Sequence, residues 1–83
     1  MSKRVLIVDD EASIRSSLEK LLSYEKYRTL SAPDGPSALE IVTDERIDIV
    51  LLDIKMPGMD GLEVLQKLKE MREELPVIII SGH

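Results

Sequence analysis

The chain has 83 residues, no cysteine, two tyrosines as its only aromatic residues, and a formal charge of −5. That length is one small domain whose core must be Val, Ile and Leu, and the absence of cysteine excludes disulfides and thiolate metal sites. An acidic surface repels phosphate backbones and no segment is long enough to span a bilayer, so neither direct nucleic-acid binding nor membrane association is expected.

The opening MSKRVLIVDD has a basic tip, but the apolar run Val5–Val8 is too short for the core of a signal peptide, and a reducing cytoplasm is the expected compartment. Lys3–Val8 reads as a strand buried on both faces, because its apolar run is continuous. Ala12 to about Tyr24 reads as a helix with Ile14, Leu18, Leu21 and Leu22 on one stripe, and Asp10 or Ser13 is placed to cap it. Tyr27–Ala32 alternates weakly and predicts a second, more exposed strand. Pro33-Asp34-Gly35-Pro36 is turn chemistry, with Pro36 suited to the first position of a helix that runs to about Asp44 and buries Ala38, Leu39 and Val42.

Asp48–Leu52 is the third strand. Asp60 and Gly61 open a third helix that reaches about Glu73, with Leu62, Leu65 and Leu68 expected inward and Val64 and Met71 widening the stripe. Pro76 precedes a fourth strand, Val77–Ile80, and Ser81-Gly82-His83 follow it. Four strands alternating with three helices predict parallel pairing, right-handed crossovers and helices on both faces of one sheet.

In open parallel sheets the ligand crevice lies beyond the carboxyl ends of the strands, where the strand order reverses. Asp9 and Asp10 close the first strand, Asp53 the third and Ser81 the fourth. If those strands are neighbours, three carboxylates converge. Crowded like charges repel unless a cation joins them, and hard oxygen donors without His or Cys suit a magnesium-like ion. The carbonyl of Lys55 stands close enough in sequence to join them. An Asp beside such a cation is also suited to nucleophilic attack on phosphorus. Each acid taken singly has a plainer reading as a cap or turn residue, as does Ser81; the predicted convergence favours the metal site, because one helix needs only one cap.

VLIVDDE, VLLDIKMPGMDG and PVIIISG, in this order and spacing, resemble the receiver domain of bacterial two-component response regulators, and the resemblance covers the whole chain. It implies an α/β, flavodoxin-like parallel sheet in the order 2-1-3-4, with residues 1–83 a single receiver domain truncated after its fourth strand. The fifth strand and last two helices of the family have no counterpart. The resemblance further implies that Asp53 is the phosphoacceptor and that Asp10 binds Mg2+ directly while Asp9 assists through water. The Lys55 backbone carbonyl is then a further ligand, Ser81 the switch hydroxyl, Met56-Pro57-Gly58 the loop behind the acceptor, and Gly61 the residue that lets the third helix start.

The implied partner is a sensor histidine kinase, met through the helix that carries Ile14, Arg15, Ser17 and Leu18. The closing Ser-Gly-His is similar to receivers of the NtrC/NtrX type, which implies transcription regulation by a longer protein. The chain is expected to be a phosphoacceptor and not itself an enzyme. An aspartate-nucleophile phosphatase would carry a second Asp two residues after the first, where Lys55 stands.

The family closes its fifth strand with a lysine that pairs with the phosphate, and no residue here matches it, so phosphorylation of these 83 residues is expected to be slow or absent while Mg2+ binding persists. With no fifth strand, Val77–Ile80 becomes an uncharged edge, and part of the first helix's apolar stripe meets water. The chain is therefore expected to self-associate, as a twofold dimer through the fourth strand or by exchange of elements. The alternative function is a receiver fragment that associates in this way and performs no phosphotransfer.

Overall fold

The computed structural model describes residues 2–56, 58 and 60–80. The elements follow as β1 (Arg4–Val8), α1 (Ala12–Tyr24), β2 (Arg28–Ala32), α2 (Gly35–Asp44), β3 (Ile49–Leu52), α3 (Gly61–Met71) and β4 (Val77–Ile79). All pairs are parallel and the order is β2-β1-β3-β4, the flavodoxin-like arrangement expected. Register is set by burial: Leu6 lies beside Leu30 and Val50, and Val8 beside Ala32 and Leu52. A slip of one residue would turn every one of these side chains to the opposite face.

The chain steps from β1 to β2 in one direction, then from β2 across β1 to β3 and on to β4 in the other. Right-handed crossovers therefore put α1 on one face and α2 with α3 on the other. The second face holds the main core, with Leu6, Val8, Ala32, Ala38, Val42, Ile47, Val50, Leu52, Met56, Val64, Leu68 and Leu75 packed together. Val5 and Ile7 point to the α1 face and are also buried.

Helix ends follow local chemistry, with one exception. Asp34 caps α2 by accepting from the Ser37 N–H at 2.8 Å, and Asp60 caps α3 by accepting from Glu63 at 2.9 Å. The expectation of an Asp10 or Ser13 cap on α1 is not met: Glu11 is the cap residue and makes no side-chain cap bond. The preceding acid Asp9 instead accepts from the Glu11 N–H at 2.9 Å, which draws it into the turn. At the other end of α1, Lys26 adopts φ 71°, its N–H donates to Ser23 O at 2.9 Å, and Tyr27 N–H donates to Leu22 O at 3.0 Å. This is a Schellman closure with lysine where glycine is favoured.

Two inward assignments on α3 are corrected. Leu62 is 60% exposed and Met71 is also exposed, whereas Gly61, Val64 and Leu68 are buried and Leu65 half-buried. The true stripe is i, i+3, i+4, i+7 from Gly61, because the helix start is pressed against the backbone after β3. Leu39 of α2 is half-buried. β1, β2 and β3 each begin one residue later than expected and α2 one residue earlier, while β4 ends one residue and α3 two residues earlier.

Candidate functional site

The carboxyl end of β1 is fastened by backbone bonds to β3 on one side and to β2 on the other. Asp53 N–H donates to Val8 O at 2.9 Å and Asp9 N–H to Ala32 O at 3.1 Å. Each acid thus leaves its strand with its backbone still held by the sheet, at the point where the strand order reverses.

One carboxylate oxygen from each of Asp9, Asp10 and Asp53 lies within 4.8 Å of the others. Asp9 and Asp53 are buried and Asp10 is exposed. Asp53 Oδ1 accepts from the Lys55 N–H at 3.1 Å, which ties one carboxylate oxygen to the turn after β3. Lys55 itself is exposed. The convergence expected for Asp9, Asp10 and Asp53 is present. Ser81, expected as the hydroxyl of the neighbouring strand end, lies outside the described residues, as do Gly82, His83 and Pro57, the last expected in the loop behind the phosphoacceptor.

Burial raises the Asp9 carboxyl above its ordinary value, and the charges of Asp53, Asp10 and Glu11 push the same way; the hydrogen bond from the Glu11 N–H opposes them. A buried carboxylate facing two others is costly unless a cation offsets the charge. The donors are all oxygens, as a hard divalent ion requires, and the exposed Asp10 leaves the site open to the waters such an ion keeps. The residues present therefore fit Mg2+.

Two further residues shape this edge. Gly61 N–H donates to Ile54 O at 2.8 Å, and a Cβ at Gly61 would collide with the Ile54 backbone and stand 2.6 Å from the Asp53 carbonyl oxygen. Only glycine permits α3 to start against the backbone that follows β3. Gly58, in the same loop, has φ +82°, a conformation glycine adopts without strain. The other residue is Arg15, whose guanidinium donates to the Asp9 carbonyl oxygen at 2.6 Å. Sequence reasoning had Arg15 only on a partner-facing helix. Six residues and a turn separate the pair, so no helical spacing signals the bond.

Residues 5–83 match the family model for the response regulator receiver domain, and the chain belongs to that family. It is 47% identical over 83 residues to sporulation initiation phosphotransferase F of Bacillus subtilis, covering 100% of this chain and 67% of that protein. Among solved structures it is similar to the response regulator TrrA of Thermotoga maritima, crystallised with Mg2+-BeF, with TM-score 0.94 and 37% identity over 98% of this chain and 70% of that one. TrrA has also been crystallised with the histidine kinase ThkA. NtrX of Brucella abortus is 42% identical with TM-score 0.94, over 100% of this chain and 19% of that one. The chain spans about a third of the mycobacterial MprA response regulators it also matches, 35% in one case.

Proposed function

We propose that this receiver domain accepts a phosphoryl group on Asp53 from the phosphohistidine of a sensor histidine kinase, and that the longer protein uses the modified receiver to regulate transcription in the cytoplasm. The observation that carries the reading is the meeting of Asp53 with Asp9 and Asp10 at the ends of adjacent strands. The TrrA structures with Mg2+-BeF and with a histidine kinase support it by similarity. Among the described residues no helix is long and apolar enough to cross a membrane.

In this reading the Asp53 oxygen not held by Lys55 attacks phosphorus. An O–P bond forms as the P–N bond to imidazole breaks, and the imidazole takes the bonding electron pair and then a proton. The sheet bonds of Asp53 and the Lys55 N–H hold the nucleophile for attack. Asp9, Asp10, Asp53 and the Lys55 backbone carbonyl are the proposed holders of Mg2+, which when bound offsets the charge on the phosphoryl oxygens. Ser81 is the proposed donor to one of those oxygens. The group transfer belongs to the pair of proteins, and the chain is not an enzyme by itself.

The test is mass spectrometry after incubation with Mg2+ and acetyl phosphate. The expected result is one added phosphoryl group, slow to accumulate, that is absent from Asp53→Asn. Mg2+ binding with no adduct at any time would instead favour the associating fragment. That second reading has its own observation: Ile78 and Ile79 on the edge strand β4 are 47% and 38% exposed. The isolated 83-residue chain is accordingly proposed to self-associate through β4, whether or not it is phosphorylated.

A further inference from the structure

The acidic site sits at the carboxyl ends of the strands. The amino ends have the opposite character. A cleft of about 510 Å³ there is lined by Ser2, Lys3, Arg4, Arg28, Arg46 and Asp48. Four cations face one acid in a chain whose total is −5. A neighbouring cavity of about 270 Å³ shares Arg4 and Arg28 and extends along β1 and β2.

Sheet register makes this concentration costly. Arg4 and Arg28 are direct partners across the β1–β2 pair, so two guanidinium groups leave the sheet side by side on one face. Like charges directly opposite in a sheet destabilise it. Arg4 is offset by Glu45 at 3.2 Å and Arg46 stands 4.0 Å from Asp48. Lys3 and Arg28 belong to none of the ion pairs among the described residues.

The backbone floor of the cleft is already satisfied. Arg4 N–H donates to Asp48 Oδ2 at 2.8 Å, Arg28 N–H to Lys3 O at 2.9 Å, and Asp48 N–H to Arg4 O at 2.9 Å. Asp48 is held below its ordinary carboxyl pKa, chiefly by that Arg4 N–H. Among the side chains, Lys3 and Arg28 are in none of these ion pairs and Arg4 and Arg46 each commit one nitrogen to an acid, and paired guanidinium forks match phosphate oxygens.

We propose that this cleft is a second site, distinct from the acceptor edge, that binds a compact multiply charged phosphate anion of the pyrophosphate class. The anion lies between Arg4 and Arg28, with Lys3 and Arg46 completing the ring of charge. The acidic remainder of the surface favours an anion small enough to touch only the cleft over an extended nucleic acid. No aromatic side chain lines the cleft to stack a base.

The experiment is amide NMR titration of the 83-residue chain with inorganic pyrophosphate in EDTA, at fixed ionic strength. EDTA removes any ion that would carry phosphate to Asp53, so the outcome is independent of the phosphoacceptor reading. Saturable shifts are expected in residues 2–4, 28 and 46–48. Affinity should fall about tenfold in Arg28→Ser with Arg46→Ser, both exposed positions, and rise in Glu45→Gln, which releases Arg4. Shifts no larger than those from chloride of equal ionic strength would overturn the proposal. So would saturable shifts confined to the acidic edge, or an affinity indifferent to both sets of substitutions.

Discussion

Asp9 carries the sharpest conflict at the level of single residues. It is buried, faces two other carboxylates, and is compensated by one backbone N–H. Asp9→Asn keeps the acceptor oxygen for Glu11 and removes the charge. In EDTA this variant should melt at a higher temperature than the parent, while its Mg2+ affinity, read by calorimetry, should be about ten- to a hundredfold weaker. A variant that binds Mg2+ as tightly as the parent would remove Asp9 from the site. Gly61 has a steric role. Gly61→Ala has nowhere to put its methyl group except into the Ile54 backbone, so the start of α3 must move. The expected cost is about 1–3 kcal/mol in chemical denaturation, with disturbed signals at Asp53. Both motif residues were legible in the sequence, but the reason for the glycine was not: it lies in a contact between two segments, not in a left-handed turn.

At the level of elements, strand and helix identities followed from composition and period. The long apolar run of β1 is a strand covered on both faces, whereas β3 is buried on the α2–α3 face and half-buried on the other, and α2 begins where turn chemistry meets Pro36. Asp34 is the anchor of that start. Its carboxyl is held below its ordinary pKa, first by the Ser37 N–H and then by the Ser37 hydroxyl. A lowered folded-state pKa means that its contribution is present above the ordinary carboxylate range and is lost as pH falls through the folded-state value. Asp34→Ala should therefore lower the melting temperature at neutral pH, and the gap between variant and parent should close on acidification. A gap constant with pH would show that the carboxylate charge does not matter to the cap. The structure turns Leu62 and Met71 of α3 outward, because the five apolar residues Leu62, Val64, Leu65, Leu68 and Met71 fit two neighbouring faces and only the seating of Gly61 chooses between them.

At the level of the molecule, the sheet has two unlike edges and two unlike ends. β2 is an outer strand with polar residues, whereas β4 presents Ile78 and Ile79 to solvent. On the α1 face, Ile14 and Leu21 are exposed as well. A bare apolar edge is a template for pairing, and lysine on the edge blocks it. Light scattering of the 83-residue chain should show a concentration-dependent rise above the monomer mass, and Ile78→Lys should return it to monomer. A parent that stays monomeric at high concentration would refute association through β4. The ends differ in charge: acids gather where the strands finish and arginines where they start, so the two proposed sites are separated by the length of the strands.

The order of elements, the parallel sheet and the identity of Asp9, Asp10 and Asp53 were determined by the sequence alone, because hydrophobic period and strand-end position are local properties of the chain. Packing decided the rest. The bond from Arg15 to Asp9, the collision that reserves position 61 for glycine, and the pairing of Arg4 with Arg28 all join residues of different segments, the first two across a turn and the third across the sheet. Such contacts exist only once strand register and helix seating are set, since both depend on burial summed over the whole sheet.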